Sequence, residues 1–305
     1  MRNRLLRGTP LQAAGVGVSE PAAGDLLEMA CSVAVAAGRL LLGRGGRATV
    51  VATKSSPTDV VTEADQAAEA LIRKRLGAAR PGDRILGEEG GETGAGSGMG
   101  GEGEGGEGGY SGVRWIVDPL DGTVNYLYGL PDWAVSIAAE AGGMVVAGAV
   151  FVPRRDELFS AVLGQGAWLR SGGPGAGPAV QLACNQAVEL GQALVATGFG
   201  YEAGLRLVQG EVLRGVLPRV RDIRRGGSCA VDLCSVASGS VDAYYERGVN
   251  LWDIAAGALI AAEAGARVTG LHGRPAGPSM TLAAGLPLHG ALHDLIAGTD
   301  QERDG

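Results

Sequence analysis

The sequence predicts a layered α/β protein, and three observations carry that prediction. Segments with helical spacing of apolar residues alternate along the chain with short β-favouring runs. One of those runs, Trp115-Ile116-Val117, is apolar enough for a buried strand and leads directly into Asp118 and Asp121. The chain has 305 residues, 46% of them hydrophobic, enough to bury a large core as one big domain or two intimate halves.

The elements follow in order. Between Asp25 and Leu42, apolar residues at 26, 27, 30, 33, 34, 37, 40 and 41 predict a helix with one apolar face. Ala48 to Ala52 suits a short strand. Thr62 to Leu76 reads as a second helix with Thr62 as its N-cap. Ile85-Leu86 runs into Gly87-Glu88-Glu89-Gly90, a strand end carrying acids. From Gly90 to Gly109, twelve of twenty residues are Gly and four are Glu, too few apolar groups to offset the entropy of ordering. Trp133 to Ala141 and Val145 to Val152 read as two strands joined by Gly142-Gly143. Asp156 to Leu163 reads as a third, after a Pro153-Arg154-Arg155 turn. Ser171 to Pro178 breaks the pattern and divides the chain into halves. Beyond it come a strand at Ala193 to Thr197, a helix near Glu202 to Leu217, a small-residue helix from Ser228 to Ala237, and a strand at Val241 to Glu246. The alanine-rich helix Trp252 to Ala264 carries Asp253 in its first turn, where the dipole favours a carboxylate.

Composition excludes several functions. No uninterrupted apolar run approaches the roughly 18 residues needed to cross a bilayer. A formal net charge of −7 with few aromatics argues against nucleic acid as the main partner. Cys31, Cys184, Cys229 and Cys234 have no CxxC spacing and read as free thiols in a reducing compartment. His272, His289 and His293 lie late and outside any ligand-like cluster, which speaks against a zinc hydrolase. Met1 to Gly24 carries Arg2, Arg4 and Arg7 without an apolar core, so it is not a secretory signal. A short disordered tail on a cytosolic protein and an organelle transit peptide both fit that bias.

The chemistry concentrates at Asp118-Pro119-Leu120-Asp121-Gly122-Thr123. Two carboxylates at one strand end repel each other unless a cation sits between them. The Gly122-Thr123 step then offers backbone N–H groups to an anion where a helix starts. Hard cations beside an anion cradle make a phosphoryl-chemistry site. Glu88-Glu89, Asp253 and Asp65 are further candidate acids. Each has a plainer reading: Thr62-Glu63-Ala64-Asp65 resembles a capping box, Asp253 complements a helix dipole, and Glu88 sits in a turn.

Four segments in the same order resemble the inositol monophosphatase family of magnesium-dependent, lithium-sensitive phosphatases. They are Lys54 to Asp65, Gly87-Glu88-Glu89, Trp115 to Tyr126, and Trp252-Asp253-Ile254-Ala255-Ala256-Gly257. The resemblance implies an α/β/α/β/α sandwich of the sugar-phosphatase type, with a metal cluster between its halves. It implies one catalytic domain over 25–298; composition adds a disordered tail over 1–24 and a disordered Gly/Glu insertion at 90–112, the latter a departure from the family's pattern. Glu88, Asp118 and the Leu120 carbonyl would hold a first Mg²⁺; Asp118, Asp121 and Asp253 a second; Glu88 would touch a third. Thr123, paired with Asp65, would orient the attacking water, and the Gly122 and Thr123 amides would receive phosphate oxygens. Asp121, Gly227, Ser228, Cys229, Glu246 and Asp253 would read the substrate alcohol. The implied substrate is myo-inositol monophosphate, with fructose 1,6-bisphosphate, another small phosphate ester, or a scaffold role in transcription as alternatives. The implied protein is a cytoplasmic homodimer without membrane or nucleic-acid partners. Arg224-Arg225 adds positive charge beside Gly227, suited to a second phosphate or to a plain solvated pair.

Overall fold

The structure is a computed structural model and describes residues 22–45, 50–53, 60–94, 110–172 and 177–301. The first half comprises α1 (Ala23–Arg44), β1 (Val50–Thr53), β2 (Val60–Thr62), α2 (Glu63–Ala79), β3 (Arg84–Gly87), β4 (Gly91–Gly94), β5 (Val113–Asp121) and α3 (Thr123–Tyr128). It continues with β6 (Ala134–Ala141), β7 (Met144–Val152), β8 (Glu157–Val162), β9 (Ala167–Ser171) and β10 (Val180–Gln181). The second half holds β11 (Leu194–Thr197), α4 (Ala203–Val216), β12 (Asp222–Arg224), α5 (Cys229–Ala237) and β13 (Ala243–Glu246). It ends with α6 (Leu251–Glu263), β14 (Arg267–Thr269), β15 (Thr281–Ala284) and α7 (Leu286–Gln301).

Two large sheets build the molecule. The first has eight strands in the order β10-β9-β8-β7-β6-β5-β3-β4; the second has five, β12-β11-β13-β15-β14. Alternation along the strands loads both faces of each sheet. Trp115, Val117, Val135, Ile137, Ala149 and Phe151 pack with α1 and α2. Ile116, Ala134, Ala138, Val150 and Val152 pack on the other face, against α5 and α6. Those two helices turn Leu233, Val236 and Ala261 toward Ala196, Tyr244 and Ala283 of the second sheet. Its far face, with Val195, Tyr245 and Leu282, is covered by Val212 of α4 and Leu288, Leu292 and Ile296 of α7. The layers are therefore α/β/α/β/α, as expected. By length and composition α1 could cross a membrane. Here it buries Leu26, Ala30, Val33, Ala37 and Leu41 against the sheet as a core helix does.

Several expectations change. The proposed tail over 1–24 overlaps α1, which is already helical at Ala23 and Gly24; residues 1–21 lie outside the described residues. The Gly/Glu insertion expected at 90–112 is ordered at both ends. Gly91–Gly94 pairs antiparallel with β3 because α2 supplies partners for its polar groups. Arg73 donates to the Gly91 carbonyl at 2.7 Å and to Thr93 Oγ1 at 2.6 Å. At the other end Tyr110 lies under the Arg84 guanidinium, 4.3 Å from ring centre to carbon. Residues 95–109 and the Lys54–Asp59 motif lie outside the described residues. Strand β5 continues past Val117 to Asp121.

The histidines, expected late and outside any ligand-like cluster, approach one another at the edge of the second sheet. Their rings stand 5.9 Å (His272–His293) and 6.4 Å (His289–His293) apart. Their nitrogens serve the fold: His289 Nε2 faces Thr269 Oγ1, His293 Nε2 accepts from the His272 N–H, and His293 Nδ1 faces Asp294.

Burial, then the charges of Arg267 and His293, lowers the His289 pKa to about 4. The unfolded chain therefore takes up the proton first, and folding stability falls as pH drops from about 6.5 toward about 4. His289 alone should remove about 2 kcal/mol between pH 7 and pH 5. Urea denaturation of wild type and His289→Gln at both pH values checks this; the variant should lose that increment. A second test concerns the α5–α6 contact, where a Cβ on Gly257 would come within 2.9 Å of Leu233 Cβ. Gly257→Ala should lower stability by about 1–3 kcal/mol, read from the denaturation midpoint.

Candidate active site

The site forms where the carboxyl end of β5 meets the amino ends of α5 and α6. Between Asp118 and Asp121, β5 advances three residues while its partner β6 advances two, from Ser136 to Ala134. Strict alternation would send Asp118 and Asp121 to opposite faces; the extra residue brings both into one cavity. Pro119, which has no N–H to give a ladder, occupies this irregular stretch.

That cavity measures about 390 Å³ and takes in Glu88, Asp118, Leu120, Asp121, Gly122, Thr123, Gly227, Cys229, Glu246 and Asp253. Ten of the twelve expected site residues thus line one space. Asp65 stands one layer behind: its Oδ1 accepts from Thr123 Oγ1 at 3.1 Å, while its Oδ2 accepts from the Thr62 N–H at 2.9 Å. Asp65 therefore serves both readings, capping box and Thr123 partner. Ser228 also differs from expectation. It is 2% exposed, caps α5 through the Val231 N–H, and donates to Asp121 Oδ2 at 2.6 Å. Its side chain holds Asp121 instead of facing the cavity.

The electrostatics are lopsided. Glu88, Asp118, Asp121, Glu202, Glu246 and Asp253 line the cavity, and Arg225 is the one basic lining residue among the described residues. Asp118 is pushed well above the usual carboxylate range, first by burial and then by Glu88, Asp121 and Asp253. Asp253 is raised by burial and by Asp121, although the Asn250 N–H donates to its Oδ2 at 2.6 Å. Burial also raises Asp121, against bonds from Ser228 and from the Ala230 N–H at 2.7 Å. Such a set of hard oxygen donors, buried and uncompensated, fits divalent cations. Among the described residues no three His, Cys, Asp or Glu side chains already form a closed cage. The fit rests on donor chemistry and shared cavity.

Supporting residues escaped the sequence reading. Glu69 of α2 accepts from the Glu89 and Gly90 N–H groups, each at 2.9 Å, and Arg73 holds it at 2.7 Å. That brace fixes the turn carrying Glu88; its only sequence signal is an i,i+4 Glu–Arg pair. Asn125 donates to the Gly226 carbonyl at 2.8 Å and to that of Asp132, tying the two halves across the cavity. Gly122 has φ 88°, and a Cβ there would press on the Asp132 carbonyl at 3.0 Å, so the turn needs glycine. Tyr244, fully buried, donates to Glu246 Oε2 at 2.8 Å and has Cys229 Sγ at 3.0 Å.

With this geometry in place, comparison with known proteins identifies the family. The inositol monophosphatase family matches residues 23–303. The chain belongs to that family. Across 247 residues, 81% of this chain and 80% of its relative, it is 48% identical to the inositol-1-monophosphatase SuhB of Mycobacterium tuberculosis. It is 36% identical to the Nus factor SuhB of Pasteurella multocida, covering 81% of this chain and 86% of that one. The solved structure of Mycobacterium tuberculosis SuhB superposes with a TM-score of 0.73 at 41% identity, over 90% of this chain and 97% of that one. Inositol monophosphatases are metal-dependent enzymes, which agrees with the carboxylate set lining this cavity.

Burial raises the Glu246 pKa to about 7, and the Tyr244 hydroxyl opposes that rise. Tyr244→Phe should therefore move the Glu246 titration above about 7, followed by NMR of carboxyl-labelled glutamate. An unmoved titration would show that the hydroxyl does not stabilise the carboxylate.

Proposed function

We propose that the protein is a Mg²⁺-dependent, lithium-sensitive phosphomonoesterase that hydrolyses myo-inositol monophosphate to inositol and phosphate. The observation that carries this reading is the convergence of Glu88, Asp118, Asp121 and Asp253 on one cavity with Thr123 and Asp65 beside them. Glu88, Asp118, the Leu120 carbonyl, Asp121 and Asp253 would hold two or three ions. Bound there, Mg²⁺ supplies Lewis acidity toward the phosphate, a more acidic water and charge for the leaving alkoxide.

The chain's own residues do the rest. The Thr123 hydroxyl hydrogen is shared between Asp65 Oδ1 and the Leu120 carbonyl, at 3.1 and 3.0 Å. Its oxygen lone pair is then free to accept from a water and orient it for in-line attack. The Gly122 and Thr123 N–H groups suit phosphate oxygens. Because α3 has six residues, these individual donors contribute more than a macrodipole. Glu246 and Asp253 accept hydroxyls of the polyol, and the backbone of Gly227-Ser228-Cys229 borders them. The Ser228 side chain contributes through Asp121.

The name of the relative from Pasteurella multocida, a Nus factor, supports a second reading as a transcription scaffold. All the acids that the resemblance implies as metal ligands are present here, which favours the enzyme as the main role. We read the protein further as a cytoplasmic homodimer; four free cysteines are consistent with a reducing compartment.

Phosphate release from inositol 1-phosphate should require Mg²⁺, fall with lithium, and exceed release from fructose 1,6-bisphosphate in kcat/KM. Asp121→Asn should reduce turnover roughly a thousandfold while the circular dichroism spectrum stays native. Equal turnover in that variant would remove Asp121 from the chemistry, and turnover of fructose 1,6-bisphosphate alone would move the substrate.

A further inference from the structure

Strands β11 and β13 run parallel and end level: Thr197 lies opposite Tyr245, so Gly198 and Glu246 are the next residues on neighbouring strands. Each stands where a wall of the acidic cavity begins, residues 198–202 after β11 and residues 248–250 after β13. The Glu246 carboxylate lies against Gly198, where an added Cβ would collide with it. Its place in the cavity therefore depends on how the two loops are held to one another.

Helix α4 supplies the connection. Gln209 is 6% exposed and bonds both loops through one amide: its Oε1 accepts from the Gly200 N–H at 3.0 Å, and its Nε2 donates to the Arg247 carbonyl at 3.1 Å. Leu205, one turn earlier on the same helix face, fits between the loops. A Cβ added to Gly200 or to Gly248 would come within 2.5 or 2.8 Å of its Cδ2. Arg206 donates to the Gly200 carbonyl at 2.6 Å, so both polar groups of Gly200 go to α4. An uncharged amide suits position 209, because one acceptor and one donor are needed behind a cavity already crowded with acids. Gln209 itself does not line that cavity.

We propose that Gln209 is a positioning residue for substrate recognition: by clamping the loop after β11 to the turn after β13, it holds the Glu246 carboxylate where the hydroxyls of the alcohol meet it. This deepens the phosphatase reading and rests on it. The acids assigned to the metal and the Thr123–Asp65 pair stand on other elements. Releasing the clamp therefore weakens the hold on the alcohol and spares the chemistry at the phosphate.

Gln209→Met keeps the length of the side chain and removes both hydrogen bonds. Hydrolysis of myo-inositol 1-phosphate is compared with that of phenyl phosphate, whose alcohol part offers no further hydroxyl. In Gln209→Met, KM for the inositol ester should rise about tenfold with kcat within about twofold, while phenyl phosphate stays within about twofold in both. Added to Glu246→Gln, the same substitution should cost less than about twofold in kcat/KM, because its effect passes through Glu246. An unchanged KM, equal losses on both esters, or full additivity with Glu246→Gln would overturn the clamp and leave the phosphatase reading standing. If phenyl phosphate is not a substrate of the wild type, the double-mutant comparison decides alone. If Gln209→Met does not fold, Gln209→Glu, which keeps an acceptor for Gly200 and loses the donor to Arg247, carries the same comparison. If wild type turns over neither ester, the phosphatase reading fails. The Glu246 carboxyl resonance of labelled protein then decides the clamp: displaced by the Gln209 substitution it stands, and unmoved it falls.

Discussion

Mutual repulsion among buried carboxylates is the constraint around which this molecule is organised. Asp118 and Asp253 are both driven far from their ordinary titration by burial and by other acids of the cavity. Holding such groups together costs stability that the surrounding layers must supply. The structure meets that demand with backbone N–H groups aimed at single oxygens and with two sheets whose cores lie on either side. Asp121 shows the solution clearly. It belongs to the first sheet, yet its Oδ2 receives the Ser228 hydroxyl and the Ala230 N–H from the helix between the sheets. The acid that repels its neighbours is also a rivet between the two halves.

The same economy governs the other side of the cavity. Asp65 caps α2 and steadies Thr123, so one carboxylate links the outer helical layer to the turn after β5. Asn125 spans from that turn to the loop before α5. The Glu69–Arg73 pair carries order from α2 into the segment after β3. Helices that read as mere covering layers thus set the positions of chemically active groups.

How much of this was legible depended on where each residue's partners lie. Asp118 and Asp121 could be read because their chemistry is written locally, as acids at a strand end, whereas Asp253 joined them through the resemblance of Trp252 to Gly257 to the family's motif. The alternation of patterns indicated α/β layering, and the order of the five layers came from the family resemblance. The ordered ends of the Gly/Glu segment could not be read, because composition describes Gly91–Gly94 alone and its order comes from Arg73, 18 residues away in sequence. Helix α7 was overlooked although Leu288, Leu292 and Ile296 keep a four-residue step. Tyr244 looked like one more aromatic in an apolar strand; its role exists only because Glu246 follows two residues later on the same face. Ser228 was read as facing the substrate, since a motif names a residue without saying which way it turns.

The one-residue irregularity between Asp118 and Asp121 carries a consequence for how this protein can diverge. Side-chain identity there is open to change in small steps, but chain length is not. Removing a single residue between the two aspartates would leave them two apart on a regular ladder, still on one face, but would delete the irregular stretch that brings Leu120 into the cavity and gives Pro119 a place outside the ladder. In the strand that delivers the site's acids, length is therefore counted to the residue.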